Sequence, residues 1–160
     1  MAVAWAASPL RAQSDGRRVP LLPQWEFRAE GVAADAPSVV AGIGINWRAG
    51  WYVRPALTLA GGAVRADALP WTGLVRVDAA VRFHLDPFGE RPRGLYGSVG
   101  ASWRHLASAG LGGGDVPILT LAAGVEGKRG RRFTPAVEIG VGGGVRITGV
   151  VRRTRTGPAR

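Results

Sequence analysis

The chain has 160 residues, enough for one domain, and 46% of them are hydrophobic. It contains no cysteine, which excludes disulfides and thiolate metal sites, and no apolar run approaches the ~20 residues of a membrane-spanning helix. The net charge of +10 is carried almost wholly by arginine, Lys128 being the one lysine. With no recognition helix and no basic patch interleaved with stacking aromatics, no nucleic-acid partner is expected.

Residues 1–13 are small and apolar and end Leu-Arg-Ala-Gln, like the back half of a secretory signal without its basic start. Cleavage would fall near Ala12 or Gln13, and 14–23 would be a polar leader containing Pro20 and Pro23. The body of the chain is then a series of alternating segments. In an extended strand successive side chains point to opposite faces, so period-two alternation marks a strand with two unlike sides.

The first segment is 24–31, with Trp25, Phe27 and Ala29 on one side and Glu26, Arg28 and Glu30 on the other. The second, 38–48, sets Val39, Ala41, Ile43, Ile45 and Trp47 against Val40, Gly42, Gly44, Asn46 and Arg48. The third, 51–64, opens on Trp51, Val53, Pro55, Leu57 and Leu59, opposite Tyr52, Arg54, Ala56 and Thr58. Pro55 is a blemish there, because proline removes a ladder donor. The fourth, 74–85, is the clearest. Val75, Val77, Ala79, Val81, Phe83 and Leu85 oppose Arg76, Asp78, Ala80, Arg82 and His84, sets that a helix of about 3.6 residues per turn would mix.

The fifth, 94–106, carries Leu95, Val99 and Trp103 against Tyr96, Ser98, Ser102 and Arg104, and the sixth, 118–128, Leu119, Leu121 and Val125 against Thr120, Glu126 and Lys128. The seventh, 133–141, sets Phe133, Val137, Ile139 and Val141 against Thr134, Ala136 and Glu138. The eighth, 145–153, sets Val145, Ile147 and Val151 against Arg146, Thr148, Val150 and Arg152. Gly142-Gly143-Gly144 between them reads as a three-residue hairpin loop. One strand running through the glycines would also keep the apolar side continuous and would leave seven strands.

The polar sides collect charges of both signs among small residues: Glu26, Arg28, Glu30, Arg54, Arg76, Asp78, Arg82, His84, Arg104, Glu126, Glu138 and Arg146. An enclosed charge needs a partner, and a narrow barrel can hold ion pairs with small spacers between them. The expected fold is therefore all-β: an eight-stranded antiparallel up-and-down transmembrane barrel, aliphatic outside and charged within. Trp25, Phe27, Trp47, Trp51, Phe83 and Phe133 fall at one end of their strands on the apolar side, as an interfacial aromatic girdle requires, and Trp71 and Trp103 lie toward the other end. Tight connections at 48–50, 86–93 and 129–132 and longer ones at 31–37, 63–70 and 107–117 would then lie at opposite ends.

With segments such as Phe-His-Leu-Asp-Pro-Phe (83–88), Gly-Leu-Tyr-Gly-Ser-Val-Gly (94–100) and Thr-Pro-Ala-Val-Glu-Ile-Gly (134–140), residues 24–155 resemble small bacterial outer-membrane β-barrels of the OmpA/OmpX type. The resemblance implies a monomer in the bacterial outer membrane, with outer-membrane lipid and the barrel-assembly machinery as partners. It implies a structural or surface-interaction role rather than that of an open porin. Such barrels usually finish on an aromatic residue, whereas this chain ends Thr-Gly-Pro-Ala-Arg, in a basic tail at 156–160. The run 152–160 as a whole reads as a solvated basic end.

Chemistry is sparse. His84 and His105 are too few for a three-ligand zinc site, and no metal or cofactor is expected. His84 with Asp86 reads as a polar pair at a barrel rim. Related barrels include lipid-A deacylases and acyltransferases, for which His105 with Ser102 or Ser108 is the nearest approach, yet the spacing gives His105 no face shared with both. The glycines at 110–114 and 142–144 are not phosphate loops, since neither precedes Lys-Ser or Lys-Thr. No enzyme is expected. The competing readings are a lipid-modifying barrel enzyme, and a soluble β-barrel with Val75, Val77 and Val81 turned inward to bind a ligand.

Overall fold

The computed structural model describes residues 23–65, 70–85, 93–107, 115–128 and 132–153. The signal remnant, residues 14–22 of the leader, the tail, Asp86 and Ser108 lie outside them. Eight strands follow in order: β1 (Gln24–Ala33), β2 (Ser38–Asn46), β3 (Val53–Val64), β4 (Thr72–His84), β5 (Gly94–Leu106), β6 (Val116–Glu126), β7 (Phe133–Val141) and β8 (Val145–Arg153). Each pairs antiparallel with its sequence neighbour, and β1 closes on β8, giving one up-and-down barrel without a free edge.

The glycine run is a turn. Val141 pairs with Val145, and the Gly142 amide donates to the Gly144 carbonyl at 3.0 Å. All three glycines have positive φ (146°, 68° and 131°), which a side chain would strain. The seven-strand alternative is thereby excluded. Pro55 is accommodated because it lies where β2 stops: its carbonyl accepts from the Trp47 amide at 3.2 Å, beyond the last β2 pair, Asn46 with Ala56.

Two expectations are corrected. The second strand ends at Asn46, so Trp47 sits in the connection and is half-buried. The short-turn and long-loop asymmetry is absent. The connections are 47–52, 85–93 and 127–132 at the end that carries the chain termini, and 34–37, 65–71, 107–115 and 142–144 at the other. Backbone pairing carries β1, β4 and β6 two residues further toward that second end than side-chain alternation indicated, and this shortens its loops.

Alternation decides the packing. On β4, Arg82 is 1% exposed and its neighbour Phe83 47%. Val75 and Val77 face outward too, the reverse of what a soluble barrel with an aliphatic core requires. The outer wall is built from Leu57, Leu59, Val99, Leu121, Val137, Ile139 and Ile147, all exposed, and the interior from polar side chains and small residues. The glycines opposite large groups are needed. A Cβ on Gly124 would strike the Tyr96 ring, and one on Gly44 would approach Thr58 Oγ1 to 2.7 Å.

Candidate functional site

The barrel interior holds the densest chemistry in the molecule. Toward the terminal end, Glu26 of β1 receives a bidentate fork from Arg82 of β4, with both N–O distances 2.7 Å. That arrangement is favoured by the planar guanidinium and is among the stronger charge-assisted contacts. Asn46 of β2 donates to the same carboxylate at 3.1 Å, and Arg152 of β8 approaches it at 3.4 Å. Arg152 also reaches Glu126 of β6 at 3.2 Å, Glu138 of β7 at 3.5 Å and the Tyr96 hydroxyl of β5 at 2.9 Å. Its guanidinium lies 4.9 Å from the centre of the Tyr96 ring.

Tyr96 donates in turn to Glu138 at 2.8 Å, and Arg28 pairs with Glu138 and with Glu26. Arg54 of β3 and His84 of β4 lie 3.8 and 3.6 Å from Glu126, and the His84 ring stacks on Tyr96 at 5.2 Å. Every one of the eight strands therefore contributes a side chain to this layer. Three carboxylates are shared among four arginines, and each carboxylate has more than one cationic partner, the condition under which burying it is tolerable.

A second, smaller cluster lies toward the other end. Glu30 takes bidentate contacts from Arg76 (2.7 and 3.1 Å) and from Arg146 (3.1 and 2.9 Å), and Thr148 donates to it at 3.1 Å. Asp78 bonds Arg76 at 2.9 Å and accepts from Ser102. Only β1, β4, β5 and β8 supply these groups. Between the clusters is a cavity of about 40 Å³ lined by Arg28, Glu30, Asp78, Arg82, Glu138 and Arg146 with Ala80, Ser98, Ala122 and Gly140, room for a few water molecules. Beyond the second cluster the interior turns apolar. Val40, Ala60, Val64, Leu74 and Leu106 bury one another there, with Ala36 of the 34–37 connection packed against them.

Of the charged residues singled out in the sequence, Glu26, Arg28, Glu30, Arg54, Arg76, Asp78, Arg82, His84, Glu126, Glu138 and Arg146 come together in these two clusters. Arg104 points inward beside Arg76 across the β4–β5 ladder, half-buried, with its Nε lacking a hydrogen bond. Arg152 corrects the reading of 152–160 as a solvated end: it is buried and bridges three carboxylates. Arg152 shares the parity of Arg146, Thr148 and Val150, and that signal placed it inside. Tyr96, Asn46 and Thr148 carry the same signal, but without a charge nothing in the sequence marks them as members of the network.

Outside, Trp25, Phe27, Trp51, Phe83 and Phe133 are exposed at the terminal end, and Trp71 and Trp103 near the opposite end. His105 faces outward and Ser102 inward, so they cannot act together on one substrate. His105 instead pairs with Asp115 at 3.0 Å, fully in solvent. The His105 imidazole and then the Trp103 indole hold the Asp115 carboxyl below the usual carboxylate range. Among the described residues no group of His, Asp and Glu could hold a metal ion.

No family model matches the chain, and no curated protein matches it in sequence. Solved structures do match in fold. Neisserial surface protein A aligns with a TM-score of 0.59 at 14% identity, over 83% of this chain and 96% of that one. The N-terminal β-barrel domain of Pseudomonas aeruginosa OprF aligns with a TM-score of 0.52 at 17% identity, over 81% and 93%. The chain shares the eight-stranded fold of these barrels, and at such identities the likeness is one of fold.

Proposed function

We propose that this chain is a monomeric outer-membrane barrel whose interior is closed by its own ion pairs, with a structural or surface-interaction role and no open pore. The reading rests on one observation: an outer wall of exposed aliphatic and aromatic side chains encloses a layer to which all eight strands donate charged or polar groups. Water would not tolerate the first arrangement over so much contiguous surface, and hydrocarbon would not tolerate the second turned outward. Pairing of β8 back onto β1 closes the sheet and so removes the open edges that lipid could not satisfy. Lipid and the insertion machinery are the partners this reading requires.

On this reading the ion pairs that Arg82 and Arg152 make with Glu26 across the lumen leave no passage for a hydrated solute. Single-channel recording on the purified protein in planar bilayers tests this: the expected trace is baseline without a stable open level, and a sustained conductance would refute closure. A lipid-modifying activity is not favoured. His84 is buried against Tyr96 and Glu126, and His105 has no described hydroxyl on its own face.

A further inference from the structure

The outer wall is not uniform. On β5 and β6 the outward positions Gly97 and Ala123 are paired in register, so two small side chains sit side by side between larger neighbours. Phe83 pairs with Gly97 from the β4 side, and Ile139 pairs with Ala123 from the β7 side. The result is an apolar groove with a Gly97–Ala123 floor, running between these flanks toward the terminal end past Leu95 and Val125.

That end of the groove is framed by cations. Arg93 directly precedes β5, Lys128 follows β6 and Arg132 directly precedes β7, and all three are exposed. The Arg132 guanidinium lies 5.7 Å from the centre of the outward Phe133 ring, which holds the charge at the level of the aromatic end. Gly97 is four residues from Arg93, about 13 Å along a strand, so floor and cations lie one above the other along the barrel wall. A second wall groove, floored by Ala41, Gly61 and Gly149, opens toward the opposite end. The charges described near that end are mixed: Arg65, Asp35 and Asp115.

We infer that the first groove is a docking site for an anionic phospholipid, an acyl chain lying on the Gly97–Ala123 floor and the phosphodiester headgroup meeting Arg93, Lys128 and Arg132. The inference rests on the membrane reading above and goes beyond it by naming a lipid class and a place. Charge complementarity selects the occupant. A basic residue close to an anionic lipid surface is worth roughly a fivefold gain in binding, and three stand over one apolar slot.

The test uses the full chain inserted in bilayers of equal parts phosphatidylglycerol and phosphatidylcholine, with retained lipids identified by native mass spectrometry after release. Heat-modifiable migration on a detergent gel reports whether each sample is a folded, inserted barrel. The expected result is preferential retention of phosphatidylglycerol. Lys128→Gln with Arg132→Gln should reduce that preference at least about fivefold, while Arg48→Gln with Arg65→Gln, equal in charge but away from the groove, should leave it. Gly97→Leu should lower retention of both lipids by filling the floor. A Cβ at Gly97 meets nothing closer than 4.0 Å, so the substitution brings no clash with the backbone, and the gel shift reports whether the variant folds. Inserted protein that retains the two lipids equally, or loses the preference as much with the distant pair, overturns the site alone. Protein that does not insert overturns the membrane reading and the site with it.

Discussion

The two halves of the barrel interior solve the same problem differently. Near the terminal end every strand supplies a polar group, and Glu26, Glu126 and Glu138 knit the eight together through Arg28, Asn46, Arg54, Arg82, Tyr96 and Arg152. Toward the other end four strands supply the Glu30 and Asp78 cluster, and Val40, Val64, Leu74 and Leu106 fill what remains. Strand alternation assigns a side chain to the inside but does not say what the inside must be. A narrow lumen accepts either neutralised charge or close-packed hydrocarbon, provided the volume is filled.

Breaking the first half should cost most. Glu26→Ala leaves Arg82 buried without its bidentate partner, and about 3–5 kcal/mol of unfolding free energy should be lost, measured by urea titration in lipid vesicles. The contrast between halves presupposes that both lie inside a wall facing hydrocarbon. Val77→Arg, at the middle of β4 on the outer side, should cost about 2–4 kcal/mol by the same titration, whereas in a soluble barrel an exposed arginine would be nearly free. In the second half Leu74→Ala should cost about 2–3 kcal/mol through a cavity. This variant should not disturb the terminal-end network, so its cost should add to that of Glu26→Ala in the double variant.

The smallest effect belongs to the solvent-exposed pair beyond the second half. The His105 and Trp103 contacts lower the Asp115 carboxyl, so their contribution is present above the ordinary carboxylate range near pH ~4 and fades as pH falls through the lowered value. Asp115→Asn should remove that acid-side dependence and leave stability at neutral pH almost unchanged, as pH-resolved titration would show.

How much of this was legible in the sequence follows from the same contrast. The faces of β4 and β8 are written plainly, because Val77 beside Asp78 or Ile147 beside Arg146 differ so sharply in polarity. All eight strand spans lie within two residues of where alternation puts them, and 94–106, 133–141 and 145–153 coincide with it. Strand ends were harder. Val32, Ala33, Thr72 and Gly73 join their ladders through backbone pairing, which leaves no mark in side-chain polarity. The apolar cluster was obscured because Val40 and Leu74 share parity with charged residues, and only depth along the axis separates them. The lipid groove was invisible for a related reason: Gly97 and Ala123 are unremarkable until register sets them side by side.

The central claim is the direction in which the two faces of the strands point. Nitroxide labels placed singly at 75 to 83 in bilayer-inserted protein, cysteine being otherwise absent, report it directly through collision with oxygen and with a polar nickel chelate. The account predicts period-two alternation with oxygen contact greatest at 75, 77, 79, 81 and 83. Contact with the polar reagent at those positions, and oxygen contact at 76, 78 and 82, would contradict it.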